Sequence, residues 1–176
     1  MSESAITLGM LWVHVPFAVG WIGVALIDAL LAAAPGLSAA QRAALIRLTL
    51  PFILLAIPVI AVTGIWQTVY NPVTKPMWSL AILDELKKTT YGWALFYKHV
   101  FVVATLLTTL ALKVVLVRRL EVAALVTTET QPPPGGVAVA LTRPGTDRAL
   151  QGGALVNLLC CLAILVCVVL MVYQLH

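Results

Sequence analysis

Two of the chain's three histidines, His14 and His99, fall inside long apolar stretches, where an imidazole is an uncommon side chain with few bland uses. A neutral imidazole there can hydrogen-bond a neighbouring helix, line an aqueous cavity, or ligate a metal through its free ring nitrogen. Counted from the starts of their apolar helices, His14 is eight residues below Ile6 and His99 seven below Gly92. At ~1.5 Å per residue each lies roughly 10 to 12 Å along its helix, so the two rings are expected at one level. Two level imidazoles on separate helices of an apolar bundle are what bis-imidazole ligation of a b-type haem requires. Gly92, two turns above His99, and Ala18, one turn below His14, are small positions that would let a porphyrin approach the backbone. Another metal, or histidines that only hydrogen-bond a neighbour, stay open as alternatives.

A second polar pair repeats the pattern. Asp28 lies fourteen residues after His14 and Lys113 fourteen after His99. Fourteen steps of about 100° return to within about 40° of the starting face. One pairing of parallel helices would therefore bring His14 toward His99 and Asp28 toward Lys113 as a structural ion pair. Met10 precedes His14 by one turn, and with Met77 and His176 it would offer soft ligands to Cu(I). The three cysteines, Cys160, Cys161 and Cys167, fall in one apolar stretch without a C-x-x-C spacing, and read as small packing residues; only Cys160 and Cys167 are expected to share a face.

The elements that must hold these residues are membrane helices. Hydrophobic residues make up 61% of the 176, and charged residues 10%, against roughly 25% charged in a soluble domain. Four apolar blocks reach the about 20 residues that a bilayer core demands: residues 6–34, 45–70, 91–117 and 152–173. The expected fold is an all-α integral membrane four-helix bundle forming a single domain, solvated by the lipid bilayer. The net charge of +4 sits at block ends and in loops, which argues for membrane orientation and against nucleic-acid binding. Pro35-Gly36 ends the first block, and Ser38 with Gln41 resembles a capping box opening the next helix. Pro51 and Pro58 predict a kinked or locally unwound second span. Residues 77–88 read as an amphipathic surface segment, and 121–148, with its Pro-Pro-Pro-Gly-Gly run, as a mobile loop.

Loop charges orient the bundle. The first and third connections carry Arg42, Arg47, Arg118, Arg119, Arg143 and Arg148 against Glu121, Glu129 and Asp147, whereas on the other side Lys75, Lys87 and Lys88 are balanced by Glu3, Asp84 and Glu85. Positive-inside counting places both termini on the outer, periplasmic side of a bacterial inner membrane. Trp12, Trp66, Trp78 and Trp93 then lie toward the outer end as an interfacial belt.

The stretch Tyr91-Gly92-x-x-Leu95-x-x-Lys98, opening an apolar helix that ends in Arg118-Arg119, resembles the signature of the copper-resistance D (CopD) membrane family. His14 followed seven residues later by Trp21 is similar to the H-x6-W pattern of the HemJ family of four-helix protoporphyrinogen oxidases. That second resemblance implies a first-helix histidine and a later-helix lysine as functional residues, here His14 and Lys98. Together the resemblances imply a haem b electron carrier or haem-bearing subunit of a larger membrane complex, with Lys98 steering a propionate or a periplasmic redox partner. They also imply two alternatives, copper uptake and porphyrinogen oxidation with an electron acceptor such as a quinone.

Overall fold

The computed structural model describes residues 3–69, 88–116, 118 and 144–173, and among these the only regular structure is helical. Helix α1 spans Glu3–Ala33. It ends in a tight turn at Gly36, whose φ of +83° is left-handed and suits a residue without a Cβ. Ser38 then caps α2, Ala39–Leu48, in a reciprocal box: its hydroxyl accepts the Gln41 N–H at 3.2 Å and its own N–H donates to Gln41 Oε1 at 2.9 Å. Helix α3 covers Leu50–Val69, so the second apolar block is two helices joined at Thr49.

The two prolines of this block act differently. Pro51 has no N–H to give the Arg47 carbonyl, and the helix breaks just before it: Thr49 becomes a C-cap whose N–H turns back to Arg47 O. At Pro58 the helix runs on without a break, so of the two prolines expected to kink or locally unwind the span only Pro51 stands at an interruption. In a membrane helix one missing donor is tolerated when the surrounding turns keep their bonds. Pro16 inside α1 is a third such position, likewise without a break.

Helix α4, Thr90–Leu110, starts at a Thr89 cap whose hydroxyl accepts the Gly92 N–H at 3.0 Å. It passes directly into a π-helical turn, Ala111–Leu116. Helix α5, Pro144–Tyr173, begins well before the expected Gly152. Pro144 at its first position explains the early start, because its fixed φ already suits a helix and its missing N–H needs no partner there. The last part of the segment read as a mobile loop, 144–148, is therefore helix. Its remainder lies outside the described residues, as do 77–87 of the amphipathic segment, Met77, Trp78 and His176.

Four stretches, Ala5–Ala33, Gln41–Thr68, Thr90–Val115 and Arg148–Tyr173, are long and apolar enough to cross a membrane. Helix α1 packs against α3 and α5, and α5 packs most closely on α4. Leu8, Val19 and Leu30 on α1, Leu54, Val62 and Ile65 on α3, Val103 and Leu107 on α4, and Val166 and Val169 on α5 all face outward. Buried inside are Asp28, Thr63, Thr105, Thr109, Lys113 and Asn157. Apolar outside and polar inside is the distribution that lipid rather than water selects. The chain is read as a multi-pass membrane protein.

Candidate functional site

The polar interior is organised by one stripe on α1. His14, Trp21 and Asp28 recur every seven residues, a spacing that drifts only ~20° per step and so keeps one face. Each of the three finds a polar partner on another helix. His14 Nδ1 lies 2.8 Å from Thr63 Oγ1 on α3. Trp21 Nε1–H donates to Thr109 Oγ1 on α4 at 3.3 Å. Asp28 Oδ2 lies 2.7 Å from Lys113 Nζ on the π turn.

At the end of the bundle nearer the chain termini, the hydrogen bonds settle the state of the first histidine. The Thr63 hydroxyl donates its proton to the Val59 carbonyl at 2.6 Å. Its oxygen can then only accept from His14, so the imidazole carries its proton on Nδ1 and keeps a lone pair on Nε2. His99 reaches the same tautomer by a different route, because Nδ1 lies 2.7 Å from the Leu95 carbonyl, which cannot donate. Both rings thus present Nε2 as a ligand nitrogen, with the second hydrogen bond that typically fixes ligating histidines.

The two rings face different surroundings. His14 is half-buried between α1 and α3, with its Cε1 3.5 Å from where a Cβ on Gly64 would stand. His99 is exposed on the flank of α4. The α4 residue turned toward His14 is Lys98, half-buried and close enough to interact electrostatically with His14 and with Cys167 of α5. Among the described residues Lys98 has no carboxylate partner. One turn beyond Thr63 on α3, the Gln67 amide nitrogen is buried with no hydrogen-bond partner among the described residues. This cluster, His14, Thr63, Gln67, Lys98 and Cys167, draws on every spanning stretch and keeps uncommitted donors beside a free imidazole lone pair.

The middle of the bundle is closed by a hydroxyl–amide hub. Thr108 and Thr109 both donate to Asn157 Oδ1, at 2.8 and 3.2 Å, and Thr109 in turn accepts from Trp21. Trp21 is buried with Val24 and Ile53. One turn nearer the termini, Phe17 and Phe52 stack at 6.0 Å with planes 8° apart, and Gly20 admits the tip of the Phe52 ring where any Cβ would lie 2.5 Å from it.

At the far end, near the α1–α2 turn, the Lys113 ammonium meets three oxygens: Asp28 Oδ2 at 2.7 Å, Thr49 Oγ1 at 2.6 Å and the Ile46 carbonyl at 3.0 Å. Asp28 is 1% exposed and Lys113 4%. Ala32, Ala43, Ile46, Leu112, Leu150 and Ala154 pack around them as an apolar cluster.

Of the other residues singled out in sequence, Gly92 is buried in the capped first turn of α4, and Ala18 and Met10 are half-buried on α1. Cys161 and Cys167 are the buried cysteines, and Cys160 is only half-buried. Seven residues apart on one continuous helix, Cys160 and Cys167 share a face as expected, and Cys161 is buried on a neighbouring one. Trp12 and Trp93 are exposed toward the terminal end, Trp93 being stacked on Tyr97 at 5.7 Å. Sequence reasoning missed Thr63, Thr49 and Asn157. Asn157 carried a signal, as the lone amide in an otherwise apolar span; the threonines, common in membrane helices, carried none.

Neither known family models, nor curated proteins, nor solved structures yield a match to this chain.

Proposed function

We propose that the protein is a b-type haem-binding membrane protein serving electron transfer, alone or as a subunit of a larger complex, with its termini and its haem on the periplasmic side of a bacterial inner membrane. The observation that carries the reading is the His14–Thr63–Val59 chain of hydrogen bonds, which leaves the Nε2 lone pair of His14 free beside a lysine with no carboxylate partner among the described residues. Haem, when bound, would supply a one-electron couple. The residues that would hold it are His14 as an iron ligand and Lys98 as the cation for a propionate, whereas His99, exposed on the flank of α4, does not face His14 as expected from the sequence. Trp21, held by Thr109, closes the apolar floor, and the half-buried Ala18 leaves space beside His14. The arginine-rich connections on the opposite side support the orientation.

The test is the optical spectrum of the protein purified in mild detergent. The expected result is a reducible Soret and α-band spectrum that disappears in His14→Ala and survives Lys98→Ala. Its persistence in His99→Ala would assign a single protein ligand. A colourless preparation carrying stoichiometric copper would overturn the haem reading in favour of copper uptake, with Met10 one turn from His14 as the soft ligand. The closeness of Lys98 to His14 favours a second reading, porphyrinogen oxidation with a quinone-class acceptor. It is tested by the fluorescence of porphyrin formed from added porphyrinogen, which Lys98→Ala would abolish while leaving bound haem in place.

A further inference from the structure

The far end of the bundle has no part in the haem reading, yet it holds the most completely built polar site in the molecule. A lysine ammonium has three protons and no acceptor. Here three oxygens from two spanning stretches surround it at 2.6 to 3.0 Å: a carboxylate from α1, and from the second span a hydroxyl at the α2–α3 break and a main-chain carbonyl in the last turn of α2. The Thr49 proton is itself committed to Ile46 O at 2.9 Å, so toward Lys113 both atoms act only as acceptors. A carboxylate, a hydroxyl and a carbonyl beside a broken membrane helix form a donor set suited to a small alkali cation. Both Asp28 oxygens are buried, and the carboxylate lies against the Thr49 hydroxyl as well as Lys113; a metal ion in the place of the ammonium can take both oxygens of a carboxylate.

We infer that this end of the bundle is an oxygen-lined monovalent-cation site occupied by the chain's own Lys113 ammonium. The lysine is a tethered cation, delivered from the π turn, that ties α1 and the broken second span to α4. Removing the tether while keeping the oxygens leaves a site for Na⁺, with Asp28 available through both oxygens, Thr49 through Oγ1 and Ile46 through its carbonyl.

The experiment is thermal unfolding of the full chain and of Lys113→Ala in detergent, in NaCl, KCl and choline chloride at equal ionic strength. Lys113→Ala is expected to regain stability saturably with Na⁺, while the wild-type chain responds equally to all three salts. Asp28→Asn/Lys113→Ala, without the carboxylate, is expected to lose the Na⁺ response. Equal unfolding temperatures for Lys113→Ala in NaCl and choline chloride would overturn the inference, as would failure of that variant to fold in any of the salts, since a fitting cation should replace the ammonium. A Na⁺ response that persists in the double variant would overturn it as well, by placing the ion elsewhere.

Discussion

The two ends of the bundle treat their buried polar groups in opposite ways. Near the α1–α2 turn, every proton of Lys113 has an acceptor and the surrounding shell is apolar. Near the termini, among the described residues, Lys98 lacks a carboxylate and the Gln67 amide lacks an acceptor, and His14 keeps a lone pair. Because a buried charge is costly in an apolar medium, a lysine held by a carboxylate reads as scaffold, and one with no carboxylate among the described residues as part of a place prepared for something else. The scaffold end sets the helix arrangement; the terminal end leaves donors for a ligand.

Breaking one partner of the Asp28–Lys113 pair should have the largest effect. Asp28→Ala leaves a buried ammonium, and Lys113→Ala a buried carboxylate. Each is expected to cost about 3–5 kcal/mol in denaturant unfolding measured without alkali cations. The joint replacement Asp28→Leu/Lys113→Met removes both charges and should cost less than either single change. If the double variant is as unstable as the singles, the pair is not the source of the stability.

Overpacking between the two ends comes next. In Gly20→Ala the new methyl meets the Phe52 ring at 2.5 Å, which must leave its stack on Phe17. The expected cost is about 1–3 kcal/mol, relieved in Gly20→Ala/Phe52→Leu. At the terminal end, His14→Ala should cost only about 1 kcal/mol of stability, the net worth of one hydrogen bond, because Thr63 keeps its bond to Val59. In the haem reading the same change removes all bound haem. A stability loss for His14→Ala matching that of Asp28→Ala would erase the contrast between the two ends.

How much of this was legible in the sequence depended on the kind of signal. Four apolar blocks are a one-dimensional feature, and the helices follow them. Asp28 and Lys113 could be paired because opposite charges at matching depth in lipid have few other partners. The direction of His99 could not be read, because the fourteen-residue repeat assumes an uninterrupted α-helix. The π turn at Ala111–Leu116 takes one more residue per turn than an α-helix, so the face of Lys113 maps back onto Lys98, about 100° around from His99. Depth survives such an insertion; azimuth does not. The break at Thr49 rather than at Pro58 was hidden for a similar reason. Two prolines in one block look alike in sequence, and the Lys113 ammonium that occupies the Ile46 carbonyl beside the first comes from another helix.

The smallest expected effect tests whether the two ends are independent. Trp21 stands between them, its indole N–H on Thr109 and Thr109 on Asn157. Trp21→Phe keeps most of the buried ring and removes one long hydrogen bond, so it should cost about 0.6 kcal/mol, the typical worth of an interhelical bond in a membrane bundle. Asn157→Leu strips Thr108 and Thr109 of their shared acceptor, but both hydroxyls can turn back to carbonyls of their own helix, the Ala104 carbonyl standing 2.8 Å from Thr108 Oγ1. If the hub only fills space, the double variant's cost is the sum of the singles. A coupling of 0.5 kcal/mol or more between positions 21 and 157 would instead mean that the hub carries strain from one end to the other. In that case Lys113 and His14 could not be treated as separate sites, and ligand binding at the termini should shift with changes at the α1–α2 turn.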